Sequence, residues 1–315
     1  MPTMGDNKHP LATDFVQRDQ YHALLRRICE FWQSLPDKPD ETPEAVLRAL
    51  WLTAAGTPVS CTLAFAFPLP EITAGQSRHL DSLIEERKRG TPLAHLTGRQ
   101  HFMGLELLAS HDALIPRKET EILAAAAIEG IRRCVTSNGT AMVLDICTGS
   151  GNLPLAYAAR ITGDMRIYGA DISEEAVSLA RSNADRLQLG DRVEFRCGDL
   201  FAPFNCDEFI NKVDVISCNP PYISTGQMAR MPHEIADFEP DVAFNGGPFG
   251  VSIMFRVITE SPRYLQPGGW LFLEVGAGQA PAIVRRFEAR ADIAQVLTYP
   301  DAAGEIRAVA AQWCP

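Results

Sequence analysis

The sequence predicts an α/β protein in which a mostly parallel, doubly wound sheet follows a small helical domain. Three observations carry this. From residue 141 onward, short apolar runs alternate with stretches at helical period, the pattern of βαβ units. The first 90 or so residues instead repeat apolar positions at helical spacing, with no strand-like runs between them. The last two strand candidates are separated only by Pro300-Asp301-Ala302-Ala303-Gly304, too short for a crossover, so they must be antiparallel.

Taken in order, residues 14–34 place Phe15, Tyr21, Leu24, Leu25, Ile28, Phe31 and Trp32 on one helical face. Residues 43–55 do the same with Val46, Leu47, Leu50 and Trp51, and Thr42-Pro43 is a good helix start because proline is pre-set for the first helical position. A third helix spans 76–89 and ends in Glu85-Glu86-Arg87-Lys88-Arg89, read as a solvated helix end. Residues 97–113 carry short β-like runs around Gly98 and Gly104 and suggest a hairpin. Strand candidates follow at 141–146, 166–170, 192–196, 213–218, 270–275, 293–299 and 306–313. Helix candidates lie at 151–161, 174–188, 250–265 and 279–290, and a helix follows the Ile115–Glu121 segment. The domain boundaries expected are 1–96 helical, 97–113 hairpin linker and 114–315 α/β.

At 315 residues the chain exceeds most single cores. It is 46% hydrophobic and 22% charged, an ordinary composition for a water-soluble protein. A net charge of -10 disfavours a nucleic-acid partner, whose phosphates need clustered Lys and Arg. The eight cysteines are scattered without a C-x-x-C pair, which disfavours a metal site and points to free thiols in a reducing, cytoplasmic setting. No window reaches the roughly 20 apolar residues of a membrane span, and residues 1–15 lack a signal-peptide pattern.

Residues 143–159, VLDICTGSGNLPLAYAA, read as strand, acid, glycine-rich turn and helix. Gly149 and Gly151, with Thr148 beside them, allow a ligand to approach the backbone, and the helix beyond offers free N–H groups. Alone, such a turn holds a pyrophosphate, holds a carboxylate and ribose, or merely reverses the chain. Asp145 ends the first strand, Asp171 the second, about 20 residues past the glycines where an acid accepts ribose hydroxyls, and Asp199 the third. An acid at each strand end suits a cationic ligand bearing a ribose and an adenine, which describes S-adenosylmethionine. Asp171 as a helix cap is the competing reading, although Ser173 is the better cap candidate. Further on, SCNPPYIS (217–224) stops an apolar strand with two prolines that cannot donate to a ladder, and so holds Asn219 and Tyr222 on a stiff turn.

Here the chain resembles a family. LIPRKETEIL (114–123), LDICTGSG (144–151), ADIS (170–173), SCNPPYI (217–223), DFEPDVAFNGGPFG (237–250) and LQPGGWLFLEVGAGQ (265–279), in this order, resemble protein-(glutamine-N5) methyltransferases of the HemK/PrmC type, a branch of the class I S-adenosylmethionine-dependent methyltransferases. GTPLAHLTGRQHFMGLELL (90–108) and DAAGEIRAV (301–309) extend the match, which the first 85 residues join only in being helical. The resemblance implies a Rossmann-like seven-stranded sheet behind a substrate-reading helical domain. It implies S-adenosylmethionine as cofactor, S-adenosylhomocysteine as product, and the glutamine of a Gly-Gly-Gln motif in a release factor as acceptor. It places the cofactor against Arg117, Glu119, Thr120, Asp145, Thr148, Gly149, Gly151, Asp171, Ile172, Asp199, Leu200 and Asn219. It places the acceptor against Phe102, Pro221, Tyr222 and Glu239.

An amide nitrogen is a weak nucleophile because its lone pair is delocalised, so its N–H groups must be held while the lone pair faces the methyl carbon. The family resemblance assigns the two hydrogen-bond acceptors to the Asn219 side-chain oxygen and the Pro220 carbonyl, and the packing surface to the Tyr222 ring. Three residues depart from the family pattern: Lys118 where proline is usual, Cys147 where glycine is common, and Pro154 within a run usually made of small aliphatics. Such turns also serve methylation of nucleic-acid bases, and the same core can be recruited to a ribosomal protein or a small-molecule acceptor. A non-catalytic cofactor-binding protein is the reading from another class, and an intact Asn219 and Tyr222 argue against it.

Overall fold

The computed structural model describes residues 17–35, 37–228 and 237–314, in two compact units, up to His101 and from Phe102. In the first unit Arg18–Phe31, Pro43–Ala54, Ala74–Lys88 and Leu93–Thr97 are α-helical, and Cys61–Ala66 forms a 3-10 turn. Phe15, read as part of the first helix, lies outside the described residues. The expected start at Thr42-Pro43 is real, since the Thr42 hydroxyl accepts the Ala45 N–H at 3.2 Å. The third helix begins two residues earlier than its apolar period suggested. A reciprocal cap sets that start: Thr73 Oγ1 accepts from Gln76 N while Gln76 Oε1 accepts from Thr73 N. Tyr21, Leu47, Leu50, Trp51, Leu80 and Ile84 form the core of this unit.

The charged end of the third helix is not a uniformly solvated run. Arg87 is 8% exposed, pairs with Glu41 at 3.3 Å and donates to the Thr91 carbonyl. Its neighbour Glu85 does face solvent, where it meets Arg27. A residue-by-residue charge count cannot tell these apart, because burial depends on which side of the helix meets the rest of the unit.

A two-stranded hairpin, β1 (Arg99–Phe102) and β2 (Leu105–Leu108), follows the helices in the chain. The second unit holds a seven-stranded sheet built from β3 (Thr140–Ile146), β4 (Asp164–Asp171), β5 (Val193–Cys197), β6 (Val213–Cys218), β7 (Leu265–Glu274), β8 (Ile293–Pro300) and β9 (Ile306–Trp313). The strand order is β5-β4-β3-β6-β7-β9-β8, parallel throughout except for β9, which is antiparallel to both neighbours. The chain therefore reverses direction across the sheet between β3 and β6, which is where α/β folds bind ligands.

Two apolar clusters are built against the sheet, one around Leu123, Ala127, Tyr157 and Phe272, the other around Ile146, Ile216, Met254 and Phe287. The helices Thr120–Asn138, Asn152–Arg160, Glu174–Arg186, Ser252–Glu260 and Ala280–Glu288 supply much of them. Pro154 sits in the first turn of its helix, where its missing N–H costs nothing. The helix expected over 250–265 stops at Glu260, because Pro262 turns the next residues into a 3-10 turn. Strand β7 begins at Leu265, five residues before the apolar run, and an irregular register between Val213 and Val215 accommodates Pro267-Gly268-Gly269.

The glycine turn is held from below by Phe195. A Cβ at Gly151 (φ 80°) would stand 2.8 Å from the Phe195 ring and 3.1 Å from Ala180. Gly151→Ala is therefore expected to destabilise the protein by about 1–3 kcal/mol, seen as a lower melting temperature, whereas Gly139→Ala, at a helix end with open space around it, should cost less.

Candidate cofactor and acceptor site

Strands β3, β4, β5 and β6 end at one edge of the sheet, and the segments that leave them enclose a cavity of about 520 Å³. After β3 the chain turns through Cys147, held at φ 60° where a non-glycine residue is strained, then Thr148 and Gly149. Asp171, the last residue of β4, braces this turn: its Oδ2 accepts the Gly149 N–H at 2.9 Å and its Oδ1 accepts the Ser173 N–H at 3.1 Å. Ser173, not Asp171, caps the next helix, by accepting from Ala176 N at 3.1 Å. Burial raises the Asp171 pKa above the usual carboxylate range, and the three backbone donors of Ser173, Gly149 and Ile172 pull it back.

Thr148, Gly149, Asp171, Ile172, Asp199, Leu200 and Asn219 all line the cavity, as does Thr120. Ile172 is 57% exposed and Leu200 is buried, so an apolar ledge stands beside the two acids. Asp199 is already engaged. Both of its oxygens receive the Arg256 guanidinium, at 3.1 and 2.9 Å. Arg256 comes from the Ser252–Glu260 helix and also lines the cavity. It had no sequence signal, since it lies 57 residues from Asp199 and on the polar side of an amphipathic helix. Val242 and Ile253 reach the cavity equally unannounced.

The Asn219 side chain is oriented. Its Nδ2 donates to Thr120 Oγ1 at 3.3 Å, and Thr120 is 1% exposed at the start of its helix. The other end of the amide, Oδ1, has no protein partner among the described residues. The turn itself is held by Gln279, whose Nε2 donates to the Tyr222 carbonyl at 2.9 Å and whose Oε1 accepts the Gly276 N–H at 2.9 Å. Pro221 lines the cavity beside Asn219, and the buried Pro220 lies between them in the chain. The Tyr222 ring lies against Gly276, where an added Cβ would come within 3.0 Å of it, and it does not line this cavity. Burial keeps the Tyr222 hydroxyl protonated well beyond its ordinary range.

Several expected positions lie elsewhere. Asp145 is fully buried beneath the turn, accepts from Ser217 Oγ at 2.6 Å, and does not reach the cavity. Gly151 also stays out of it and serves helix–strand packing instead. Phe102 is 1% exposed within the apolar cluster of Leu107 and Leu123 and does not line the cavity. Glu239 is 5% exposed and wholly occupied: one oxygen receives Arg117, the other the Ile115 N–H at 2.8 Å. That pair anchors the segment before Thr120, and neither Arg117 nor Glu119 lines the cavity, whereas Pro116 does. A short motif tells which residues are near one another in sequence, not which of them face inward.

A methyltransferase-domain family model matches residues 137–287. The release factor glutamine methyltransferase of Thermodesulfovibrio yellowstonii is 38% identical over 214 residues, covering 68% of this chain and 74% of the relative. That of Aliivibrio fischeri is 32% identical over 291 residues, 92% of this chain and 96% of the relative. The chain belongs to the release factor glutamine methyltransferase family. It is an S-adenosylmethionine-dependent methyltransferase with the class I fold. Among solved structures, the human hMettl16 catalytic domain superimposes with a TM-score of 0.55 over 90% of this chain and 94% of its own, at 15% identity, a likeness of fold alone. No helix among the described residues is long and apolar enough to cross a membrane.

The methyltransferase's cavity fits its cofactor on observations made here. Asp112, Asp171, Asp199 and Asp241 face a single arginine across it, a balance that favours a cation. Gly149 leaves its surroundings open, with nothing within 4 Å of where a Cβ would stand. Burial raises Asp145 to about 7, the hydroxyls of Ser217 and Thr148 pull it back, and the nearby Asp171 carboxylate adds to the rise. The folded state therefore holds this proton more tightly than the unfolded chain, and stability from it is present below pH 4 and lost as pH rises through about 7. Asp145→Asn should remove that loss, so its melting temperature should gain on the wild type between pH 5 and 8, as read by thermal unfolding at each pH.

Proposed function

We propose that this methyltransferase transfers a methyl group to the side-chain amide nitrogen of a glutamine in a peptide chain release factor, with Asn219, Pro220 and Tyr222 as its catalytic residues. The observation that carries the reading is the fixed Asn219 amide. One Nδ2 hydrogen is given to Thr120, which orients the amide and leaves Oδ1 to accept, and an amide nitrogen presents donors. Oδ1 and the Pro220 carbonyl hold the two N–H groups of the acceptor, so that its lone pair is directed rather than averaged. The relatives' name supplies the class of acceptor.

S-adenosylmethionine, when bound, supplies an electrophilic methyl carbon on a cationic sulfur. The Thr148–Gly149 turn and Asp171 would hold it, with the apolar side chains of Ile172 and Leu200 lining the same cavity. Two consecutive prolines and the Gln279 bonds make the turn stiff, so the acceptors need no reorganisation as charge develops. No strongly basic group is required, since the amide proton becomes acidic once the nitrogen carries the methyl group and a positive charge.

Asn219→Ala should lower turnover on a release factor by about 10²–10³ while leaving cofactor affinity nearly unchanged, because alignment is worth most in the transition state. Full turnover in a labelled-cofactor assay would sink the proposal. Asp171→Ala should instead weaken cofactor binding by at least about tenfold, measured by calorimetry, since it removes both the acid and the brace on Gly149.

A further inference from the structure

Strand register puts a second buried acid beside the Asn-Pro-Pro-Tyr turn. Cys218 is paired with Leu273 across β6 and β7, so the residues that follow, Asn219 just past β6 and Glu274 at the end of β7, lie side by side. Glu274 is 3% exposed, and its Oε2 finds no hydrogen-bond partner. The hydroxyls of Thr120 and Tyr222 are near enough to favour its charged form, without a hydrogen bond closed to it among the described residues. Thr120 is also the acceptor for Asn219 Nδ2. The family-like stretch 265–279 contains Glu274, but no role is expected of it from the sequence.

A hydroxyl has one proton to give. When Thr120 gives it to an ionised Glu274, its oxygen is left to accept, and the Asn219 amide must present Nδ2 to it. When Glu274 carries a proton, or is replaced by an amide, it can donate to Thr120. The threonine is then able to donate to Asn219 Oδ1, which is consumed or turned away. The direction of the chain Asn219 to Thr120 to Glu274 thus decides which end of the Asn219 amide is offered to the acceptor nitrogen.

We propose that Glu274 is a positioning residue of the methyl transfer, acting through the Thr120 hydroxyl to hold the Asn219 amide with Oδ1 toward the acceptor. This rests on the reading of Asn219 as the amide-aligning residue. Tyr222, from the same turn, is the second hydroxyl that favours the charged form of Glu274. The charged groups facing Glu274 are Glu119, ahead of the Thr120–Asn138 helix, and Arg307, on β9. Burial outweighs them and the two hydroxyls, and raises Glu274 to about 7. Turnover should therefore rise with pH through about 7, as the ionised form that accepts from Thr120 becomes populated.

The test is the pH profile of kcat on a release factor for the wild type, Glu274→Gln, Thr120→Val and the double variant, with cofactor affinity measured for each. Glu274→Gln should lower kcat by about 10- to 100-fold with cofactor affinity within about twofold, and should lose the limb near pH 7. The double variant should be no worse than the poorer single one, because both break one chain of bonds. Full kcat with an unchanged limb in Glu274→Gln, or effects that multiply in the double variant, would overturn the proposal. If Glu274→Gln does not fold, Thr120→Val alone decides, through loss or retention of the limb. Asn219→Ala in the same assay separates the two levels. An inactive Asn219→Ala beside unaffected Glu274→Gln and Thr120→Val removes only this inference, whereas an active Asn219→Ala removes the reading beneath it.

Discussion

Because β3, β6 and β7 run parallel in one register, with Ile146 beside Cys218 and Cys218 beside Leu273, their continuations leave the sheet at the same level. The cofactor turn follows β3, the Asn-Pro-Pro-Tyr turn follows β6, and Glu274 is the last residue of β7. A shift of one residue between β6 and β7 would separate Asn219 from Glu274 and turn every apolar side chain of the strand to the wrong face. The cores on both faces therefore hold the register, and the register holds the chemistry.

Two carboxylates, Asp145 and Glu274, are buried at the ends of strands that flank β6. Both are pushed to about 7, chiefly by the loss of water. A buried acid with one unpaired oxygen is costly to keep ionised, and both Asp145 Oδ2 and Glu274 Oε2 are unpaired in this sense. The cost is tolerated on either side of the same turn. Asp145 fastens β3 to β6 through Ser217, and Glu274 lies near the hydroxyls of Thr120, which touches Asn219, and of Tyr222.

Much of the fold was legible. Alternating apolar runs with short connections located all seven strands of the large sheet to within a few residues, except for the start of β7. The short turn after Pro300 was enough to make the last pair antiparallel. Helix starts were legible where a capping residue announced them, as at Thr42 and Ser173, and misplaced where the cap lay outside the apolar period, as at Thr73. The cavity lining was legible where residues stand next to a turn in sequence. Gly149, Asp171 and Asn219 are of this kind, because strand ends force them to one edge. Phe102, Glu239 and Arg117 do not line the cavity and are engaged by other residues. Each is absorbed by a partner far away in sequence.

What the sequence determined by itself was the α/β alternation, the family, and the strand ends at which the chemistry sits. These depend on local pattern: periodicity of apolar residues, glycine where the backbone must bend to positive φ, and proline where a strand must stop. Which functional groups face the cavity was decided only by tertiary structure. Arg256 reaches Asp199 across 57 residues, Thr120 reaches Asn219 across 99, and Glu239 is withdrawn by Ile115 and Arg117 across more than 120. Hydrogen bonds of that span follow from how helices pack on the sheet, and packing is a property of the whole core, which no window of residues contains.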